Sequence, residues 1–412
     1  MCNLLYLVHR LPFPPNKGDK VRSFHLLKHL LAHHRVFLGT FLDEPEDEVY
    51  VELLREICPD LCVIRLNTRL SKLWSLTGLL MDQALSLRYY QNADLQAWVK
   101  LTLENHKIDA VVIFSSVMAQ YVENIPDRMK PPMLVDFVDV DSVKWTQYSS
   151  NHSWPLSWLY RREGVQLLAY ERSVAARAQC SFFITKNEAD LFIKIAPECV
   201  DSVVTISNGV DIDFFSQDAG RRSPYIGQGF LEDMLPIVFT GAMDYWPNID
   251  AVTWFAQDIL PRLRQIWPQV CFYVVGRSPA QSVLTLASDS VVITGTVEDV
   301  RPYLQHASLV VAPLRIARGL QNKILEAMAM GKPVVASRSC AVAINAGSDE
   351  LVYASDVDSF VHELDALLSS PTRMMRLGES ARRRVVESYS WAAHLSGIDS
   401  YLMADQTTGV VV

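Results

Sequence analysis

The sequence predicts an α/β protein made of two doubly wound, Rossmann-like parallel-sheet domains with a cleft between them. Three observations predict it. Short β-rich apolar runs alternate with longer segments of helical spacing, as parallel strands joined by crossover helices require. The alternation comes in two series, one starting at Asn3 and the other at Pro236, with a polar, glycine-bearing stretch between them. In the second series, successive strands end on Gly241, Gly276 and Gly295. Ligands of open α/β sheets bind outside the carboxyl ends of the strands, where backbone must come close.

In the first series, Asn3 to Val8 reads as a strand and is followed by the loop Pro12 to Gly18. Lys20 to His33 has helical spacing, with Val21, Phe24, Leu27, Leu30 and Leu31 apolar. Arg35 to Phe41, Asp109 to Phe114 and Met133 to Val138 are further strands. In the second series, Pro236 to Thr240, Val270 to Val275, Val291 to Thr294, Leu309 to Ala312 and Val334 to Ala336 read as strands. Asn248 to Leu263 and Lys323 to Met330 read as helices, the second stopped by Gly331-Lys-Pro333. Gln217 to Asp233, polar and without a clear period, reads as the interdomain connection. The expected domains are residues 1–207 and 208–385. Residues 386–412 return to the first domain through a helix at Trp391 to Met403, with a frayed tail from Asp405.

The chain has 412 residues, room for roughly two to three domains of ~150 residues. Half of it is apolar and a fifth charged, so it can fill real cores. Thirty-eight basic against 46 acidic residues give a net charge of -8, which argues against nucleic acid as a partner. The seven cysteines are scattered, and the one close pair, Cys58 and Cys62, has no second pair to complete a zinc site. No basic-then-apolar leader opens the chain and no uncharged apolar run reaches 18 residues. A cytoplasmic protein with reduced thiols is expected, at most peripheral to a membrane.

The most informative segment is Ala312 to Gly331, where a strand ends in a basic, glycine-containing loop that opens a helix. A helix N-terminus offers free N–H groups and a positive dipole to anions. Arg315, Arg318 and Lys323 add cationic donors, a combination suited to a diphosphate. Glu326, three residues after Lys323, can face the same cleft and accept hydrogen bonds from ribose hydroxyls. A surface helix with a Lys–Glu pair is the other reading of these residues.

Lys323-Ile-Leu-Glu-Ala-Met-Ala-Met-Gly-Lys-Pro-Val-Val-Ala resembles the donor-site helix of retaining glycosyltransferases of family 4, which use nucleotide sugars and have the GT-B fold. Pro14 to Arg22 resembles the N-terminal glycine loop of that family, and Ser207 to Phe214 the entry to its second domain. Phe239 to Asn248 and Gly295-Thr-Val-Glu-Asp299 resemble its donor-domain loops. Together with Asp136 to Trp145, the combination looks most like the bacterial transferases associated with the PEP-CTERM/exosortase system and exopolysaccharide loci.

The resemblance implies transfer of a sugar from a nucleoside-diphosphate sugar to a hydroxyl acceptor, a glycan or a lipid-linked glycan. It implies retention, with no cofactor and no metal. Its donor-binding residues are Gly18, Gly241, Gly276, Val297, Arg315, Arg318, Gly319, Lys323 and Glu326. Its acceptor side comprises His9, Lys17, Arg22, Asp139 and Asp141, and its catalytic set Asp139, Lys323 and Glu326. Glu326 matches the second Glu of the family's Glu-x7-Glu motif, while the first falls on Arg318. The usual Arg and Lys after the Gly241 strand are replaced by Ala242 and Tyr245-Trp246, which shifts the phosphate-facing duty to Lys323, helped by Arg315 or Arg318.

Several of these positions have plainer readings. Asp139 can cap the next helix, Gly18 can serve a turn, and Arg22 can be a solvated surface residue. His25, His29 and His33 repeat on one helix without an interleaved acid, which reads as a polar face rather than a metal site. Arg65 to Leu87 mixes basic residues with Leu and Trp74, which suits a helix on an anionic inner-membrane surface or an ordinary excursion packed on the first domain. Two further functions fit the architecture: a non-hydrolysing nucleotide-sugar epimerase, and a non-catalytic GT-B binding subunit.

Overall fold

The computed structural model describes all residues except 16–17, 124, 127–129, 151, 226–233, 316–319, 342–343 and 404–412. Two compact units emerge. One comprises Met1–Asn208 with the chain from His394 on, and the other Gly209–Ala393.

The first unit holds a seven-stranded parallel sheet. Its strands are β1 (Asn3–Val8), β2 (Arg35–Leu42), β3 (Leu61–Arg65), β4 (Ala110–Phe114), β5 (Met133–Val138), β6 (Cys180–Phe183) and β7 (Val203–Thr205), in the order β3-β2-β1-β4-β5-β6-β7. The second unit holds six parallel strands: β8 (Leu235–Thr240), β9 (Val270–Val275), β10 (Val291–Gly295), β11 (Leu309–Ala312), β12 (Val334–Ser337) and β13 (Val352–Ala354). Their order is β10-β9-β8-β11-β12-β13. Strand order reverses between β1 and β4 in one sheet and between β8 and β11 in the other. Such switch points open a crevice at the carboxyl ends of the strands.

Central strands are apolar along their whole length because helices cover both faces. Leu4 to Val8 and Val270 to Val275 are buried throughout. Leu5, Phe41, Ile113 and Val135 anchor one core, and Ile237, Phe272, Val310 and Leu325 the other. Each such side chain contributes roughly 1.5–3 kcal/mol by leaving water.

Four strands, β3, β6, β7 and β13, carry too weak a signal to be read from the sequence. Three of them are sheet edges, where short and partly polar strands suffice. The glycine-bearing segment after Gln217 is not a free connection. Gln217 donates to the Met330 carbonyl at 2.9 Å, and buried Tyr225 donates to the Tyr303 carbonyl at 2.7 Å, so 217–225 belongs to the second unit. The rest of that segment, 226–233, lies outside the described residues. Residues 386–393 group with the second unit, and the chain joins the first from His394.

The histidine row is a polar face of unequal burial, with His33 exposed. His25 is buried, and His29 bonds Asp399 at 2.9 Å, on helix Trp391–Met403. Arg65 to Leu87 is not one helix. Arg65 ends β3, helix Thr68–Ser75 and the turn Leu76–Leu79 follow, and Leu85–Tyr89 forms a separate helix. Arg162 clamps the break through the carbonyls of Gly78 and Gln83, at 2.9 and 3.0 Å.

Candidate functional site

The carboxyl ends of β8, β9 and β10 and the start of helix Asn322–Ala329 enclose a cavity of about 590 Å³. Two glycines shape its floor. Gly241 and Gly276 have φ of +156° and +155°, values that L side chains rarely adopt. A Cβ on Gly276 would lie 1.7 Å from the Gly241 carbonyl oxygen, and one on Gly241 would lie 3.0 Å from Lys323 Nζ. The two strand ends therefore touch through bare backbone, beneath the lysine.

Lys323 Nζ donates to Asn248 Oδ1 and sits 4.4 Å from the centre of the Phe239 ring. Asn248 is fixed by its own amide, which donates to the Ala242 carbonyl at 2.8 Å. Among the described residues Lys323 forms no ion pair. Burial lowers its pKa to about 8, opposed by weaker effects of Cys340 and Glu326. Burial raises the Glu326 carboxyl to about 7, with Lys323 pulling it down. A cation and an acid thus share a half-buried wall and stabilise each other's charge, without a direct ion pair to Lys323 among the described residues. The helix adds its N-terminus to the same wall, because the capping residue Gln321 makes no side-chain cap.

Arg277 and Val297 line the cavity too. Phe214 forms part of the wall, held by Arg301, whose guanidinium lies 3.9 Å over its ring and bonds Asp299 at 2.9 Å. Arg315 does not line it. Its guanidinium makes a two-pronged ion pair with Asp250 and lies 5.2 Å over the Trp254 ring. Arg318 and Gly319 lie outside the described residues. The structure therefore brings Gly241, Gly276, Val297, Lys323 and Glu326 together and turns Arg315 elsewhere.

Gly18, His9, Arg22, Asp139 and Asp141 belong to the first unit. His9 follows β1, and its ring stacks on Phe114 at 5.9 Å and meets Tyr90 edge-on. Burial lowers its pKa, more than Asp19 raises it, and its buried Nδ1 has no hydrogen-bond partner among the described residues. Asp139 and Asp141 follow β5 and both grip Lys144, at 2.9 and 3.0 Å, so one lysine offsets one of their two charges. At the end of β5 the backbone is strained: Val138 has φ +68°, a rare value for a β-branched residue.

Arg22 is fully buried, contrary to the surface reading. It bonds Asp136 Oδ2 and Asn208 Oδ1, at 2.8 and 2.9 Å, and so ties helix Gly18–His33 to β5. A Cβ at Gly18 would meet nothing within 4 Å, so local packing does not demand glycine there. Lys17 lies outside the described residues.

Residues 235–370 match the family model described as glycosyl transferases group 1. That match lies within the second unit. Over 98 residues the chain is 39% identical to the MMP alpha-(1->4)-mannosyltransferase of Mycolicibacterium hassiacum, a match spanning 23% of this chain and 24% of that protein. Among solved structures, HepE of Anabaena in complex with UDP superposes with a TM-score of 0.61 at 17% identity, covering 98% of this chain and 100% of that one. Sucrose-phosphate synthase of Thermosynechococcus elongatus gives 0.60 at 16% identity, covering 99% and 100%. These whole-chain likenesses establish the fold, the GT-B pairing of Rossmann-like domains.

Two polar cavity residues of the second unit escaped the sequence reading. Arg277 directly follows the glycine that ends β9, and Asn248 opens the expected helix after β8. A polar side chain next to a strand-end glycine is the signal that could have found Arg277, whereas Asn248 stands seven positions after Gly241 and carries no such mark.

Proposed function

We propose that the chain is a retaining, metal-independent glycosyltransferase that moves a sugar from a nucleoside-diphosphate sugar to a hydroxyl of a glycan or lipid-linked acceptor. The observation that carries this reading is the wall formed by Lys323, Glu326 and the start of helix Asn322–Ala329 over the Gly241–Gly276 floor. A diphosphate placed there gives Lys323 a direct ion-pair partner and accepts hydrogen bonds from the N–H groups of the helix start. Negative charge builds on the leaving β-phosphate during transfer, and Lys323, Arg277 and the helix dipole are positioned cationic groups that can stabilise it. Glu326, as carboxylate, accepts from the ribose hydroxyls, and Val297 with Phe214 offers the base an apolar wall. HepE binds UDP, which makes uridine donors the first to try.

Asp139, Asp141 and His9 serve the acceptor side at the carboxyl end of the first sheet. By resemblance, transfer proceeds on the front face with retention, in exopolysaccharide or cell-surface glycan synthesis linked to the PEP-CTERM/exosortase system. Exposed Leu70, Leu73 and Leu80 beside Arg69 and Lys72 support a peripheral contact with the cytoplasmic membrane face.

The test is to incubate the purified chain with a nucleotide-sugar panel, with and without acceptor, and to read the product anomer by NMR. Transfer with retention, lost in Lys323→Ala and Glu326→Gln, supports the reading. An inverted product, or epimerised donor without acceptor, overturns it.

A further inference from the structure

The first unit contains a cavity of its own, of about 830 Å³, within the ~300–1,000 Å³ usual for small-molecule sites. It shares no lining residue with His9, Arg22, Asp139 or Asp141. Its wall is unusually rich in amides: Gln83, Gln91, Asn92, Gln96, Gln120 and Gln166.

Four of these amides are pinned at one end only. Gln96 Nε2 donates to the Tyr121 carbonyl at 3.0 Å, and Gln120 Nε2 to the Val117 carbonyl at 2.8 Å. Gln166 Nε2 donates to Asp82 Oδ1 at 2.8 Å, and Asn92 Oδ1 accepts from the amides of Asp94 and Leu95. The opposite ends, three carbonyl oxygens and one NH2, make no hydrogen bond among the described residues. The wall therefore presents acceptors and a donor whose orientation is already fixed.

Its charges cancel. Arg177 pairs with Glu123 at 2.7 Å, and Arg88 donates to Gln91 Oε1 at 2.6 Å. Burial, then the Glu123 charge, holds the Tyr170 hydroxyl far above its ordinary pKa, so it stays a neutral donor. Trp74 lines the same cavity with 60% of its surface exposed.

A lipid or apolar peptide in this cavity would leave the amides unpaired and desolvated. A strongly charged ligand would find no net counter-charge. A neutral sugar chain matches both features, because each hydroxyl both donates and accepts, and the C–H face of the ring packs on an aromatic side chain. We propose that this cavity is a subsite for a neutral oligosaccharide, separate from the nucleotide cavity. Its role, holding the glycan part of the acceptor, rests on the sugar-transfer reading.

The experiment is saturation-transfer NMR on the full chain without nucleotide, using gluco-, manno- and galacto-trisaccharides and an acidic trigalacturonate. We expect transfer to at least one neutral trisaccharide. It should vanish in Ser173→Trp, which fills the cavity from an exposed position of helix Leu156–Arg177, and binding should weaken at least tenfold in Gln96→Ala/Gln166→Ala. Unchanged melting and UDP binding in both variants report an intact fold. Absence of any neutral signal, its survival in Ser173→Trp, or tighter binding of the acidic sugar overturns the proposal. A chain that transfers sugar yet binds no trisaccharide defeats the subsite alone. One that binds a trisaccharide through this wall but turns over no donor keeps the subsite and defeats the transfer reading.

Discussion

The ammonium of Lys323 lies 4.4 Å above the centre of the Phe239 ring, a cation held on an aromatic face with only the Asn248 amide as its hydrogen-bond acceptor among the described residues. A strand core residue and a helix-start residue thus together create a half-buried positive charge that an anion can relieve.

Donor binding should follow from that charge a narrow pH profile. Lys323 must be protonated to hold the diphosphate, so affinity falls as pH rises through about 8. Glu326 must be ionised to accept from ribose, so affinity falls as pH drops through about 7. Calorimetric titration with UDP across this range should show a maximum between the two. Lys323→Met should abolish the alkaline limb and Glu326→Gln the acid limb. A flat profile in the wild-type chain would refute the assignment.

The two arginines should separate. Arg277→Ala removes a cation from the cavity and should weaken UDP binding by about 1.5–3 kcal/mol, roughly tenfold to a hundredfold in Kd. Arg315→Ala should leave Kd within about twofold, because its guanidinium is engaged by Asp250. Equal losses in both variants would contradict the observed geometry.

Glycine substitutions should divide by position. Gly276→Ala meets the Gly241 carbonyl and an unfavourable φ. The φ alone costs about 1–3 kcal/mol, and the clash adds to it, so the melting temperature should fall and UDP binding should fail. Gly18→Ala meets nothing within 4 Å and should melt like the wild type. Reduced turnover in that well-folded variant would show that a substrate passes close to Gly18, and unchanged turnover that it does not.

Arg22 should prove structural. Burial raises the Asp136 pKa, and Arg22 is the charge that counters it. Arg22→Met leaves that carboxylate buried and unpaired, a loss of about 3–5 kcal/mol in urea unfolding. Arg22→Met/Asp136→Leu removes both charges and should recover most of it. A double variant no more stable than the single one would show that the ion pair is not the cause.

The exposed leucines make a prediction of their own. Co-sedimentation with anionic vesicles at low salt should capture the wild-type chain and fail for Leu70→Ser/Leu73→Ser. Equal capture of both would dismiss the membrane surface at this patch. No helix of the described residues is long and apolar enough to cross a membrane, so any attachment through these residues is peripheral.

Much of the second unit was legible because its features are local. A glycine at the end of β8 or β9 and a Lys–Glu step at a helix start are each written within a few residues of chain. The sheet topology then brings three strand ends and that helix start to one cavity. Arg315 was misread for the opposite reason. It stands in the basic loop, but its partner Asp250 lies 65 positions away, and no short-range pattern reveals that pairing. Arg22, whose partner Asp136 is 114 positions away, looks in the sequence like a surface arginine in a first helical turn. The amide-lined cavity was invisible too, because its amides, four within 83–96 and one each at Gln120 and Gln166, come from three stretches of chain and form no motif.

By itself the sequence determined the two runs of alternating strands and helices, the glycine-ended strands and the basic helix start. These follow from side-chain period and backbone permission, properties of neighbouring residues. Only the tertiary structure decided which charges are spent and which remain. Asp250 takes up Arg315, Asp136 takes up Arg22 and Lys144 takes up both Asp139 and Asp141, while Lys323 keeps its charge without a partner ion among the described residues. That choice depends on desolvation and on distances between residues far apart in the chain, and both exist only once the sheets have formed.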